Sequence, residues 1–246
     1  MLSINLTLLL SITLGFTCVF FATSRYTTSI SNPGLTGHGG YRSGNALYGG
    51  ELDGLDVLGV PAGDISEGAI RATLGKAAGK TVRIRRGERI LLVQSGATHP
   101  DAALQSAMNR YYEVVPFSGL PVGKKGKDKA SASKRLRMAA GQAGVRHVVV
   151  VWGTLETSVG DLPSKAVNSW IPIVGELVTD EKKATRIVTT AAVIETGTGA
   201  WRSVSSEPKV RSFHNSGISR TAKWARQVES LKAESYPDLA ERVAAF

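Results

Sequence analysis

Ser95 stands in Gln94-Ser95-Gly96, directly after the apolar run Ile90-Leu91-Leu92-Val93. A serine at a strand exit before a helix is where hydrolytic nucleophiles often sit, and His99 and Asp101 follow it closely. The strained elbow that exposes such a serine is written Gly-x-Ser-x-Gly, however, and here positions 93 and 97 are Val and Ala. Ser, His and Asp packed this tightly along one chain rarely assemble the relay geometry. A strand-exit turn and helix cap is the stronger reading, so no catalytic residue is assigned and the chain is read as a non-enzyme. A serine hydrolase using Ser95 is the minor alternative.

Other chemistry is thinner still. One Cys excludes an intramolecular disulfide framework and a Cys-rich zinc site. The four His are scattered, and no His-Glu-x-x-His is present. His147 opens an apolar strand and reads as structural. Gly123-Lys124-Lys125-Gly126 lacks the spacing of a phosphate-binding loop, and Gly197-Thr198-Gly199 reads as a hairpin turn. No metal and no cofactor is expected.

Binding is better supported than catalysis. Basic residues form two groups: Lys76, Lys80, Arg83, Arg85, Arg86 and Arg89, then Lys124, Lys125, Lys127, Lys129, Lys134, Arg135 and Arg137. Nucleic-acid binding would want interleaved aromatics, which are missing. A solvated basic face is one reading. The functional one is contact with lipid headgroups or an acidic polymer, carried by Lys124, Lys125, Lys127, Lys129, Arg135, Arg83, Arg85 and Arg86. A second surface is suggested by Ser169-Trp170-Ile171-Pro172-Ile173-Val174-Gly175, apolar yet broken by Pro and Gly. Such a loop either packs on the body or presents Trp170, Ile171 and Ile173 to a partner or membrane.

The elements that would position these residues follow from periodicity. Asp64 to Leu74 reads as a short helix with Ile65, Ala69, Ile70 and Leu74 on one face. Ile90 to Gln94 suits a strand buried on both faces. A helix from Pro100-Asp101 to about Tyr111 carries Ala103, Leu104, Ala107 and Met108 as its inner stripe. Glu113 to Phe117 is a strand, and Ser131 to Gln142 a helix closed by Gly144. His147 to Trp152 is a second doubly buried strand. No clean period holds between Thr157 and Asp180. Thr185 to Glu195 and Trp201 to Ser205 form a hairpin about Thr196-Gly197-Thr198-Gly199. Ser219 to Phe246 reads as helix, with Pro237 breaking or kinking it.

The chain of 246 residues is 42% hydrophobic, enough for one sizeable core. Thirty Lys and Arg against 20 Asp and Glu give a charge of +10. Met1 to Ser24 holds no charged side chain, and its centre is close to the roughly 20 apolar residues that span a bilayer. Three readings are open: cleavage after Ala22-Thr23-Ser24, lipidation of Cys18, or retention as an anchor. Arg25 to Gly50 is rich in Gly, Ser, Thr and Asn and reads as a flexible tether.

The block Arg89 to Ala97, Pro100-Asp101, and Val114-Val115-Pro116-Phe117-Ser118-Gly119 resembles a family of uncharacterised envelope lipoproteins of Gram-negative bacteria. So do Trp170-Ile171-Pro172-Ile173-Val174-Gly175, Asp180-Glu181 and Ala191-Ala192-Val193-Ile194-Glu195-Thr196-Gly197. The likeness runs from about Asp64 to the C-terminus. More loosely, the layout is similar to the α/β domain of the TolB amino-terminal region, the curli-secretion channel lipoprotein and the polysaccharide-export lipoproteins. Such a resemblance implies proteins that bind partners, often form rings and are not enzymes.

The expectation is therefore an α/β fold: a mixed sheet of about five strands with helices packed on it, an antiparallel hairpin at the edge and a C-terminal helix. Residues 1–24 are signal peptide or anchor, 25–63 tether and 64–246 the folded domain. The role is a membrane-anchored, non-enzymatic accessory or assembly protein of the cell envelope, on the periplasmic face of a membrane. Its partners would be other envelope proteins, the membrane through the N-terminus and a second copy of itself, without nucleic acid. The alternative is a binding module for anionic envelope polymer or lipid headgroups.

Overall fold

The computed structural model describes residues 24–34, 45–77, 81–121, 131–159, 182–214 and 220–246. Cys18, Lys124, Lys125, Lys127, Lys129, Trp170, Ile171 and Ile173 lie outside the described residues.

In chain order the elements are β1 (Ser24–Ser29), α1 (Gly54–Val57), α2 (Glu67–Ala77), β2 (Arg89–Gln94), α3 (Ala102–Met108) and β3 (Glu113–Phe117). They continue with α4 (Ala132–Gln142), β4 (His147–Val159), β5 (Lys182–Glu195), β6 (Trp201–Ser205), β7 (Lys209–His214) and α5 (Arg220–Ala244). The strands make one seven-stranded mixed sheet in the order β3-β2-β4-β5-β6. β3 and β4 run parallel to β2, whereas β5 is antiparallel to β4 and β6 to β5.

Side chains alternate across the sheet and so build two cores. Ile90, Leu92, Val149 and Val151 point to one face, where Leu104 and Met108 of α3 and Val228, Leu231 and Leu239 of α5 cover them. Leu91, Val93, Val148 and Val150 point to the other, under Val57 of α1 and Leu136 and Ala140 of α4. This is why β2 and the first part of β4 read as unbroken apolar runs: both of their faces are dry.

β4 and β5 are long, and each shares its outer edge between two short strands. β2 pairs with β4 from His147 to Val151, and β1 takes over antiparallel from Thr154 to Val159. On the far side β6 pairs with Thr190 to Ile194 of β5, and β7 with Lys182 to Ile187. At the first junction the Ile30 amide donates to the Gly153 carbonyl at 3.0 Å. A Cβ on Gly153 would lie 2.6 Å from the Ile30 side chain, so only glycine lets that isoleucine seat. At the second junction the hydroxyls of Thr189, Ser206 and Ser235 form a buried cluster at 2.9 to 3.0 Å. That cluster ties β5 to α5.

Several expectations are corrected. Residues 25–63 do not behave as a free tether where they are described. β1 is a sheet strand, Ile30, Leu52 and Val57 are buried, and the Trp224 indole donates to the Pro33 carbonyl at 2.7 Å. β4 runs on through Val159 because β1 supplies a partner for its distal half. α5 is continuous across Pro237, since Leu231, Tyr236, Leu239, Ala240 and Val243 hold both halves against the same face. In α3, Leu104, Ala107 and Met108 are buried as expected but Ala103 is exposed. The apolar residues of α2 do not enter the core: Ile70 is 50% and Leu74 72% exposed, because the other helices already cover both sheet faces.

The turn after β3 locks onto the turn after β2. Gly96 donates to the Gly119 carbonyl at 3.0 Å, and Gly119 donates back to Ala97 at 2.9 Å. A Cβ on Gly119 would fall 1.8 Å from the backbone oxygen of Gln94. The substitution Gly119→Ala should therefore cost roughly 3 kcal/mol or more, since main chain rather than a side chain must move. Urea unfolding of the variant measures it, and an unchanged midpoint would contradict the close approach.

Candidate functional site

At the end of the sheet where parallel strands β2 and β4 begin, the chain between α2 and β2 arrives in extended form. Val82 and Ile84 are buried and alternate with exposed Arg83 and Arg85. The alternation turns the arginines outward because the valine and isoleucine must face the core. The chain then reverses: Glu88 N–H donates to the Arg85 carbonyl at 3.0 Å, with Gly87 at φ +80°, a conformation that favours glycine. Gly87 N–H is held by the Tyr111 carbonyl at 2.6 Å, which fixes the turn against the end of α3.

This turn forms one wall of a cavity of about 390 Å³ whose lining includes Arg85, Arg86, Glu88, Arg89 and Arg146. The arginines reach it from two stretches of chain, 85–89 and 146. Arg85 and Arg86 lie on the turn. Arg89 opens β2 and is held by both Nε and Nη2 to Glu113 Oε1, at 2.9 and 2.6 Å. Arg146 precedes β4 and is brought alongside by the pairing of Ile90 with His147. Arg86 lies over the Tyr111 ring, its guanidinium carbon 5.0 Å from the centroid.

The cavity's own carboxylate is already engaged. Glu88 Oε1 meets His147 Nδ1 at 2.9 Å, and Oε2 accepts the Arg85 backbone N–H at 3.1 Å. His147 is 7% exposed, so its role is to hold Glu88. Four guanidinium groups thus face two carboxylates, Glu88 and Glu113, and an excess of positive charge is left at the cavity. A guanidinium stays charged at any physiological pH, and its planar fork matches carboxylate or phosphate oxygens. Beneath it, burial pushes the Tyr112 hydroxyl up to about 12, with Arg86 opposing and Glu88 adding to the shift. The chemistry available is reversible capture of an oxyanion.

The expected basic residues divide. Arg85 and Arg86 line the cavity, whereas Arg83 is exposed beside it. Arg135 lies on α4 and is not part of the lining. Arg137 instead caps the β5–β6 turn, donating from Nε and Nη2 to the carbonyls of Thr196 and Gly197, both at 2.7 Å. Arg146 was not among the expected contacts, and only the sheet register reveals it.

The opposite end of β2 holds Ser95, and its surroundings are those of a structural group. It is 1% exposed, its Oγ accepts the Leu52 N–H at 2.8 Å, and its carbonyl accepts the Ser31 hydroxyl at 2.6 Å. His99 is exposed. Asp101 Oδ2 is occupied by the Tyr236 hydroxyl at 2.6 Å and by Lys232 Nζ at 2.9 Å. Ser95, His99 and Asp101 therefore do not form a relay. Among the described residues there is no cluster of three metal-ligating side chains, and no helix is long and apolar enough to cross a membrane.

A family model described as YafT bacterial lipoprotein matches residues 53–245. No curated protein matches the chain. Among solved structures, a substituted form of the PelC dodecamer from Paraburkholderia phytofirmans is 16% identical, with 65% of this chain and 94% of that chain covered and a TM-score of 0.29. A minor lipoprotein from Acinetobacter baumannii is 11% identical over 66% of this chain and 91% of that chain, with a TM-score of 0.28.

Because Ser95 Oγ satisfies a buried amide, Ser95→Ala should lower stability by roughly 1–3 kcal/mol. Urea denaturation reads the loss. A fluorophosphonate probe should leave the natural protein unlabelled; label that disappears in the variant would instead make Ser95 a nucleophile.

Proposed function

The chain belongs to the YafT bacterial lipoprotein family, and on that premise we propose that it is a non-enzymatic accessory protein of the cell envelope that works by binding anionic groups. The observation that carries the reading is the convergence of Arg85, Arg86, Arg89 and Arg146 on one cavity. Arg85, Arg86 and Arg89 are one local cluster, and the pairing of β2 with β4 adds Arg146 from a second stretch of chain. Glu113 positions the Arg89 fork, and Glu88 accepts the Arg85 backbone N–H, so two carboxylates stand against four guanidinium groups. The ligand would be an oxyanion carried on an envelope polymer or a lipid headgroup. Anchoring through the N-terminus, by acylation of Cys18 or by the apolar segment itself, would keep the domain at a membrane.

Arg85 and Arg146 are both exposed, so their charge can be reversed without opening the core. Arg85→Glu combined with Arg146→Glu should abolish salt-sensitive retention of the protein on an anionic matrix such as immobilised polygalacturonate, while its circular dichroism stays native. Retention of the natural protein should fall as salt is raised from about 0.05 to 0.5 M, because exposed charges are screened within a Debye length. Retention that ignores both salt and the substitutions would remove the reading.

A second reading, assembly with other copies or envelope proteins, is favoured by α2. Its Ile70 and Leu74 stand exposed on an element that neither core uses. Ile70→Ser with Leu74→Ser should then lower the native mass measured in mild detergent by light scattering. An unchanged mass would leave α2 as a solvated appendage.

A further inference from the structure

The arginine cavity holds more donors than its own chain uses. Among the described residues, Arg85, Arg86 and Arg146 make no ion pair, although all three line it. Arg89 is tied to Glu113, and both of its bonds end on the single oxygen Oε1, at 2.9 and 2.6 Å. Glu88 also lines the cavity but spends its oxygens elsewhere. Its Oε1 meets His147 Nδ1 at 2.9 Å, and its Oε2 accepts the Arg85 backbone N–H at 3.1 Å. Four guanidinium charges against two carboxylates leave two positive charges there. Like charges gathered at one cavity repel, and a bound anion offsets that repulsion.

Two properties decide which anion suits it. The first is the number of acceptor oxygens. A guanidinium presents a planar fork that takes two oxygens side by side. A carboxylate has two oxygens in one plane. A terminal phosphate has three on a tetrahedral centre, and so meets forks that arrive from several directions. Here they arrive from residues 85–89 and from residue 146. The second property is charge. A carboxylate brings one negative charge, whereas a terminal phosphate brings roughly 1.5 to 2 at pH 7, which matches the excess. A phosphate diester, with one charge and two free oxygens, ranks with the carboxylate. There is also room for the group. Gly87 and Gly144 line the cavity without side chains, and a Cβ on either would meet nothing within 4 Å. A volume of about 390 Å³ admits the phosphate together with the first part of whatever carries it.

We propose that the cavity is a site for a terminal phosphate, a phosphomonoester, held by the forks of Arg85, Arg86 and Arg146, with Arg89 fixed in place by Glu113. This rests on the anion-binding reading above and narrows the oxyanion to one chemical class. The same group ends the headgroup of phosphatidic acid and occurs on phosphorylated sugars, and the cavity recognises it on either. Lysine at these positions keeps the charge and loses the fork.

The test titrates the full chain in neutral detergent micelles by calorimetry, at about 0.05 M salt so that screening is weak. Glucose 6-phosphate and glucuronate are the probes, two sugars of similar frame that end in phosphate or carboxylate. Glucose 6-phosphate should bind at least about tenfold tighter, the effect of one further charge-assisted hydrogen bond. Arg85→Lys with Arg146→Lys should weaken glucose 6-phosphate by at least about tenfold and erase the preference, while salt-sensitive retention on polygalacturonate persists. Glucose 6-phosphate that binds no tighter than glucuronate, or a preference that survives the lysine variant, would overturn the phosphate assignment and leave the anion-binding reading standing. Retention on polygalacturonate that ignores Arg85→Glu with Arg146→Glu would sink the anion-binding reading itself. Doping the micelles separates the two sources. Displacement of glucose 6-phosphate by phosphatidic acid, but not by the diester phosphatidylglycerol, assigns the phosphate to a lipid headgroup. Displacement by neither assigns it to a sugar. Equal displacement by both lipids would mean that charge alone is read, and the proposal would fall.

Discussion

A strand of thirteen residues exposes more hydrogen-bonding edge than any one short neighbour can satisfy, and the fold turns on how β4 meets that demand. β2 covers the first part and β1 the last, with Gly153 and Ile30 at the join. Were β1 absent, Thr154 to Val159 would present an open edge on that side. The N-terminal stretch is therefore conscripted into the sheet although its composition is polar. Its continuation then crosses the end of the sheet, where Ser31, Leu52 and Tyr48 close over Ser95 and Gly96. In open α/β sheets that end is the usual ligand crevice. Here the chain's own strap fills it.

The strap is secured by a polar network that links four elements. Gln94 is fully buried and bonds the Ser31 hydroxyl at 3.1 Å and the Asp101 amide at 2.8 Å. Asp101 in turn receives Tyr236 and Lys232 from α5. Burial, with the Asp101 carboxylate beside it, pushes the Tyr236 hydroxyl well above its usual range and keeps it a donor. A buried ion pair of this sort adds little net stability, but breaking it strands a charge in the core and is costly. Its contribution is to fix α5 against α3 and β2 in one register, which a purely apolar contact would specify less sharply.

How much was legible in the sequence follows from the same physics. β2, the first part of β4 and α4 stand out because doubly buried strands are continuous and apolar, and because Ser131 and Gly144 punctuate α4 at both ends. β1 and β7 were invisible for the opposite reason. Ser-Arg-Tyr-Thr-Thr-Ser has no apolar face, and its strand character comes from a partner far along the chain. Pro237 signals a break locally, yet α5 continues because burial on both sides outweighs one missing hydrogen bond. At the candidate site, Arg85 and Arg86 were readable as a local cluster. Arg146 was not, since only parallel pairing between β2 and β4 brings it beside them.

The antiparallel pairing of β1 with β4 has a mechanical meaning. The chain enters at Ser24, at the outer end of β4, and runs back along it to Ser29. A pull on the N-terminus therefore acts along the strand axis, in line with any opposing pull at the His147 end. Loaded that way, the rungs between Ser24–Ser29 and Thr154–Val159 share the force in shear and must yield together, where a perpendicular pull would open them one at a time. The Ile30 side chain seated on Gly153 acts as a stop behind the last rung. The sheet is thus arranged to carry tension from one end of the molecule to the other.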